Sequence, residues 1–350
     1  MLQAKTIYHP LKFRKAAGTS RGVLHHKESW FLLIHDSEAP QQVGIGECSL
    51  IPGLSMDNRG TLEQELSNLC AGIATHSQWV SEKGRQFPAI RFALETALAD
   101  LKNGGKRVFG ETDFTQGQAG IPINGLIWMG NARDMQQQIR EKLDAGFNCI
   151  KVKIGAIDQD AELELLRGIR REFDPSTIEI RVDANGAFAP QQARDVLKRL
   201  AELHVHSIEQ PIRQGQWEAM AQLCHNTPTP IALDEELIGI YGDAQRQLLE
   251  AIHPQYIILK PGLLGGLEAA ARWVKLADQL KTGWWVTSAL ESNIGLNAIA
   301  QWTWKLKTTM PQGLGTGQLF TNNLDSPLEI EKGKLFFQTL KSWNLKPLGL

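Results

Sequence analysis

The stretch "NCIKVKIG", residues 148–155, decides how this chain is read. Ile150, Val152 and Ile154 are β-branched, alternate with Lys151 and Lys153, and are followed by Gly155. That is the period-two pattern of a β-strand ended by a glycine. Residues two apart on a strand point to the same face, so one face is aliphatic and the other carries two long cations. At a sheet edge such a face would simply be wet. In a central strand the two ammonium groups need anions close by.

Similar runs recur on both sides of this one. They are "IPING" (121–125), "IEIRVD" (178–183), "HSIEQ" (206–210), "IALDE" (231–235), "YIILKP" (256–261), "WWVTSA" (284–289) and "QGLGT" (312–316). With residues 149–154 they make eight, starting 25–29 residues apart, the length of one βα unit. Amphipathic segments lie between them. In "PQQARDVLKRLAEL" (190–203), Ala193, Val196, Leu197 and Leu200 fall at helical spacing and Pro190 suits a first turn. The count favours a parallel barrel over a doubly wound open sheet, and no GxGxxG or Walker sequence follows an early strand.

Residues 1–115 break this rhythm and read as a separate α+β region, with a strand at "ESWFLLIHD" (28–36) that shows a polar face and helices near 60–72 and 88–102. Residues 116–324 form the barrel. The tail, 325–350, reads as strand and turn.

With 42% hydrophobic and 21% charged residues, the composition is that of an ordinary globular protein. The net charge is −1 and no Lys/Arg run is long enough to track a phosphate backbone, which argues against a nucleic-acid partner. The apolar run "WFLLI" (30–34) is far too short to span a bilayer, and "MLQAKTIYHP" lacks an apolar signal core. The expectation is a cytoplasmic protein with no membrane partner. Cys48, Cys70, Cys149 and Cys224 have no CxxC spacing and are expected to be thiols. Nothing in the sequence sets an oligomeric state.

Charged residues stand at the ends of consecutive strand runs: Lys153, Asp183, Glu209, Asp234 and Lys260. The three acids are 26 and 25 residues apart, one repeat each, so they belong side by side at the C-terminal rim, where barrel enzymes build their sites. Three ionised carboxylates at one rim need a cation. An all-oxygen set suits a hard divalent ion, Mg²⁺ by default. The plainer alternative is three separate surface salt bridges. Lys153 and Lys260, on the second and sixth strands, would face each other across the mouth. A carboxylate substrate between them suits abstraction of an α-proton by lysine. Free lysine is protonated at neutral pH. Lys151, a like charge on the same face, is expected to lower the pKa of Lys153. Glu291 and the glycines of "PGLLGG" (261–266) have no assigned role at this point.

The segments "KVK", "RVDANGAF", "IEQP", "ALDEE", "LKPGLLGG" and "TSALESNIGLNAIAQW" together resemble the enolase superfamily, in its muconate-lactonising subgroup, over nearly the whole chain. The resemblance implies a modified (β/α)7β TIM-type barrel and an α+β capping domain completed by the C-terminal tail. It implies Asp183, Glu209 and Asp234 as ligands of Mg²⁺, with Mn²⁺ able to substitute, Lys153 as the base and Lys260 as the opposing lysine. Asn185 and Glu235 would stand behind the ligands. Within the subgroup the chain is similar to the o-succinylbenzoate synthase family, through Arg181 in an R-x-D pattern and "SALESNIG" (288–295), with Arg181 and Ser288 as substrate contacts. That likeness implies a lyase of menaquinone biosynthesis acting on a small carboxylate, 2-succinyl-6-hydroxy-2,4-cyclohexadiene-1-carboxylate. The alternatives are an N-acylamino acid racemase or dipeptide epimerase, and a non-catalytic metal-binding barrel. The eighth run, "GLGTGQLF" (313–320), lacks the Asp-x-Asp with which dipeptide epimerases hold an ammonium group. The loops "AAGTSRG" (16–22) and "LIPGLS" (50–55) would close over the substrate.

Overall fold

The structure, a computed structural model, describes residues 1–19, 22–156 and 158–350. The N-terminal region opens with β1 (Leu2–Tyr8), β2 (Leu11–Thr19), β3 (Gly22–Lys27), β4 (Ser29–Asp36) and β5 (Ala39–Ser49). Helices α1 (Arg59–Ala71), α2 (His76–Lys83) and α3 (Pro88–Lys102) follow. β1, β4 and β5 form an antiparallel sheet in the order β1-β4-β5, and β2 pairs with β3 as a hairpin.

The expected polar face of "ESWFLLIHD" is absent. Residues 29–34 are all buried, because β4 is covered on both sides. Trp30, Leu32 and Ile34 pack in one cluster with Leu62 and Leu66 of α1 and Ile90 and Ala93 of α3. Phe31 and Leu33 pack in another with Ile45, with Ile294 and Leu324 of the barrel region, and with Leu348 of the C-terminal tail. The period-two alternation therefore separates two apolar faces, as in a strand between two layers.

β5 lies unusually close to α3. A Cβ at Gly46 would fall inside the Ala93 carbonyl, and one at Gly44 inside that of Ala97. Both obstacles are helix backbone and cannot turn aside. Gly46→Ala is therefore expected to destabilise the protein by about 3 kcal/mol or more, the upper range for overpacking, as a loss of midpoint in denaturant unfolding.

Beyond the cap, β6 (Ile121–Pro122) leads into seven parallel strands. These are β7 (Gly125–Ile127), β8 (Cys149–Lys153), β9 (Glu179–Asp183), β10 (Ser207–Glu209), β11 (Ile231–Leu233), β12 (Tyr256–Leu259) and β13 (Gly283–Val286). The helices between them are α4 (Ala132–Asp144), α5 (Gln159–Glu172), α6 (Pro190–Glu202), α7 (Trp217–His225), α8 (Asp243–Ile252), then α9 (Pro261–Leu264) and α10 (Leu267–Leu280). α11 (Asn293–Lys305) follows β13. Ile150, Val152, Ile180, Val182 and Ile208 face the helix layer in the main apolar cluster. The alternate positions face the barrel axis, and the register sets them in layers. Lys151 is level with Arg181 and Ser207, and Lys153 with Asp183 and Glu209.

Two strands differ from the sequence expectation. Residues 121–122 belong not to the barrel but to an antiparallel sheet with β14 (Leu328–Glu331) and β15 (Lys334–Phe337), so the first barrel strand is β7. The eighth segment is only two bridges long: Gln312 pairs with Ile123, and Gly313 with Thr287. Its Gln312 side chain compensates by accepting from the Val286 amide at 2.7 Å and donating to the Met310 carbonyl at 2.6 Å. This closes the ring between β13 and the first strand. The four cysteines are free thiols.

Candidate active site

The strand register gathers the predicted charges at one end of the barrel. Lys153 Nζ donates to Asp183 Oδ2 at 3.0 Å and to Asn185 Oδ1 at 2.6 Å. Lys151 Nζ hydrogen-bonds Glu209 and lies 3.3 Å from Asp183 Oδ2. Lys260 Nζ pairs with Asp234 and lies 3.7 Å from Glu209 Oε1. Three ammonium groups and three carboxylates thus alternate, all of them buried or nearly so. This is the compensation that two lysines on a central strand require.

The balance of charge is uneven. Burial raises the pKa of Asp183, but Lys151, Lys153 and Lys260 outweigh it and hold the carboxyl far below its usual range. Burial lowers that of Lys151, but Asp183 and Glu209 hold the ammonium above its usual value. Lys260 is raised in the same way, against its own burial, chiefly by Asp234 and Glu209. At Glu209 the lysines do not win. Burial and then Asp183 push this carboxyl up against the pull of Lys151, with Asp234 adding to the push. Lys151 contacts two carboxylates and so stands as a counter-ion between Asp183 and Glu209.

The turn after β9 brings Asn185 back over the site. Asn185 sits in the left-handed region (φ +45°), which Asn tolerates, and its amide donates to Asp183 Oδ1 at 3.0 Å. Its Nδ2 donates to Glu235 Oε1 at 3.1 Å, so Asn185 bridges Lys153 and Glu235. Gly186 follows at φ +75° against the Arg213 backbone, where a Cβ would come within 2.9 Å of Arg213 Cα.

Above these groups is a cavity of about 720 Å³. Lys151, Lys153, Asp183, Asn185, Glu235 and Lys260 line it at the strand ends, and α4 adds Asp134, Gln137, Gln138, Glu141 and Lys142. Leu126, Trp128 and Leu290 of the barrel, with Leu24, Ile51 and Leu54 of the cap, supply apolar walls. The "LIPGLS" loop thus reaches the cavity. "AAGTSRG" includes residues 20 and 21, outside the described residues, although Arg14, Lys15 and Leu24 on either side line the cavity. Ser288 lines it too, with its hydroxyl 2.6 Å from that of Thr316.

Arg181 does not reach the cavity. It lies one layer deeper, 1% exposed, donating to Glu179 at 2.6 Å and to the Pro311 carbonyl at 2.8 Å. Its guanidinium stacks 4.3 Å from the Trp285 ring. Arg181 is level with Lys151, but its guanidinium is held down in the floor by Glu179 and Pro311, away from the cavity that the expected substrate contact requires.

Residues 134–340 match the family model described as enolase C-terminal domain-like. The chain is 51% identical to an o-succinylbenzoate synthase of Desulfotalea psychrophila, over 93% of this chain and 96% of that one.

The chain belongs to the enolase superfamily.

The solved structure of MenC from the same organism superposes with a TM-score of 0.85 at 46% identity, covering 96% of this chain and 99% of that one. A dipeptide epimerase from Enterococcus faecalis V583, solved with Mg and L-Leu-L-Tyr, superposes at 0.83 with 20% identity, covering 96% of each chain. At that identity the likeness is one of fold.

Members of the superfamily use Mg²⁺ in general. The donor set here is compatible with that ion: three acids on adjacent strands, all oxygen donors, and a buried Glu209 Oε1 that accepts no hydrogen bond. Among the described residues no three His, Cys, Asp or Glu side chains stand together as a finished cage, because the lysines are interposed between the carboxylates.

Sequence reading of this enolase-superfamily site missed Trp128, Leu126 and Leu290. They are ordinary apolar residues, and only the closure of the cap over the rim makes them walls.

Proposed function

We propose that the protein is a Mg²⁺-dependent lyase that dehydrates 2-succinyl-6-hydroxy-2,4-cyclohexadiene-1-carboxylate to o-succinylbenzoate. Lys153 takes the proton from the carbon that bears the ring carboxylate. The C–H pair moves into the ring and the C–O pair leaves with oxygen. Lys153 returns the proton to that oxygen, water departs, and the ring becomes aromatic. Lys260, across the mouth, faces the negative charge that develops on the carboxylate. Asp183, Glu209 and Asp234 would hold a magnesium ion whose charge stabilises the electron pair left by proton abstraction. Pairing a lysine base with Mg²⁺ is an established pattern of enolase-type sites. Asn185 and Asp183 both hold Lys153 by hydrogen bonds, so the amine is aimed before substrate arrives.

The observation that carries the choice of substrate is the eighth segment. Gln312, Gly313, Leu314, Gly315 and Thr316 contain no carboxylate, and Gly313, Gly315 and Thr316 line the cavity. A dipeptide brings an α-ammonium group, and a buried ammonium needs an anionic partner. The ring substrate has none, and the apolar walls of Leu126, Trp128, Leu290, Ile51 and Leu54 suit it. The relative that is 51% identical supports the same choice.

The test is to measure kcat/KM for the ring substrate, for N-succinylamino acids and for dipeptides in one buffer with Mg²⁺, since discrimination is the ratio of these constants. Dehydration is expected to be fastest by at least about 10²-fold, with dipeptides not turned over. Dipeptide epimerisation faster than dehydration would overturn the substrate and leave the proton chemistry standing.

A further inference from the structure

Three buried ionisable groups lie where the cap meets the barrel, outside the reacting centre: Lys27 at the end of β3, Glu47 on β5, and Glu291 after β13. Each is 2% exposed or less. Burying such groups is costly without partners, so their contacts show what they are for.

All three grip one segment. Lys27 Nζ donates to the Ala289 carbonyl, and Glu291 Oε2 accepts from the Ala289 amide at 2.6 Å. Both polar groups of residue 289 are thereby held by charged side chains, one of them from the cap. Glu47 reaches across the same junction to the start of α11. It accepts from the Ser292 amide at 2.9 Å, the Ser292 hydroxyl at 2.5 Å and the Gly295 amide at 3.1 Å, and Ser29 Oγ steadies its other side at 3.0 Å. A carboxylate here satisfies first-turn amides that have no partner within the helix, and it faces the positive end of the helix dipole.

The glycines around the junction agree with this. A Cβ at Gly262 would come within 2.6 Å of Glu291 Oε1, and one at Gly295 within 2.9 Å of Glu47 Oε2. Gly262 belongs to the "PGLLGG" stretch, so clearing space for Glu291 is one use of that glycine. Leu290, between the two grips, sits at φ +63°. That is a costly conformation for leucine, and it persists only where the surroundings over-determine it. Ser288, Ala289 and Leu290 all line the substrate cavity.

We propose that Lys27, Glu47 and Glu291 are positioning residues that lock the wall 288–290 onto the bound substrate, so that the cap sets the shape of a barrel-borne surface. The inference rests on the functional reading above for its ligand. The wall touches the substrate before and during reaction alike. Losing its position weakens ground state and transition state together, which raises KM and leaves kcat.

The experiment compares Lys27→Met, Glu291→Ala and Glu291→Gln with the wild type, using the ring substrate and Mg²⁺, on protein whose folded fraction is measured by thermal unfolding. Lys27→Met and Glu291→Ala are expected to raise KM about 10-fold or more with kcat per folded molecule within about 3-fold. Glu291→Gln keeps an acceptor for the Ala289 amide and is expected to stay within about 3-fold of wild type in both constants. The proposal is overturned by an unchanged KM in folded Lys27→Met and Glu291→Ala, by a loss that only follows the folded fraction, or by Glu291→Gln behaving like Glu291→Ala. It is also overturned if neither Lys27→Met nor Glu291→Ala can be obtained folded, since the groups would then serve folding. A wild-type protein that does not turn over the ring substrate sinks the functional reading instead, and is seen before any variant is compared.

Discussion

Lys153→Ala is expected to lower kcat for dehydration by at least about 10³-fold while leaving the fold intact, because it removes the only group the mechanism uses to move a proton. General base catalysis alone accounts for roughly 10²–10⁴-fold, and here one amine takes a proton and then returns it. The fold tolerates the loss for a specific reason. Lys153 is one of three ammonium groups facing three carboxylates, and Asp183 keeps Lys151 at 3.3 Å. Lys260→Arg keeps a charge but spreads it over a planar fork that does not fit the place of a compact ammonium against Asp234, and it is expected to be severely impaired as well. Steady-state rates with circular dichroism on the same samples check both. A Lys153→Ala enzyme within about 10-fold of wild type would remove Lys153 from the proton path.

Glu209→Gln is expected to have the second large effect, on divalent-ion binding. Glu209 lies on the middle of the three acid-bearing strands, level with Asp183, and its Oε1 is buried without a hydrogen bond. Burial and Asp183 work against its ionisation. The amide keeps the shape and loses the charge. Calorimetric Mg²⁺ affinity is expected to fall at least about 10²-fold, and chelation of the wild type to abolish turnover. Asp183→Asn and Asp234→Asn should behave alike. Unchanged Mg²⁺ binding in all three variants, or full activity in excess chelator, would contradict the assignment.

Much of this site was legible in the sequence because a barrel strand repeats every two residues and a βα unit every 25 or so. Those periods alone put Lys153, Asp183 and Glu209 in one layer and Asp234 and Lys260 at the following strand ends. Where the reading failed, the missing information was depth or partner. Arg181 shares the face of Asp183 but is held down in the floor by Glu179 and Pro311, and period-two reasoning gives a face and not a side chain's partners. The "ESWFLLIHD" strand looked half-polar because its second cover, Leu324 and Leu348, comes from the far end of the chain. "IPING" reads whole as a barrel strand, yet its first two residues pair with β15, more than 200 positions away. Lys27, Glu47 and Glu291 carry no local pattern at all. They lie in three separate segments, and only the docking of cap on barrel makes them one cluster.

The most direct test of the central claim uses the ring substrate carrying deuterium on the carbon that bears its carboxylate, mixed with excess wild-type enzyme and Mg²⁺ so that a single turnover is observed. If Lys153 breaks that C–H bond on the way to the aromatic product, o-succinylbenzoate forms more slowly from the deuterated substrate than from the ordinary one. Formation at the same rate from both, with Lys153→Ala catalysing it as well as the wild type, would show that lysine-mediated proton abstraction is not the chemistry of this site.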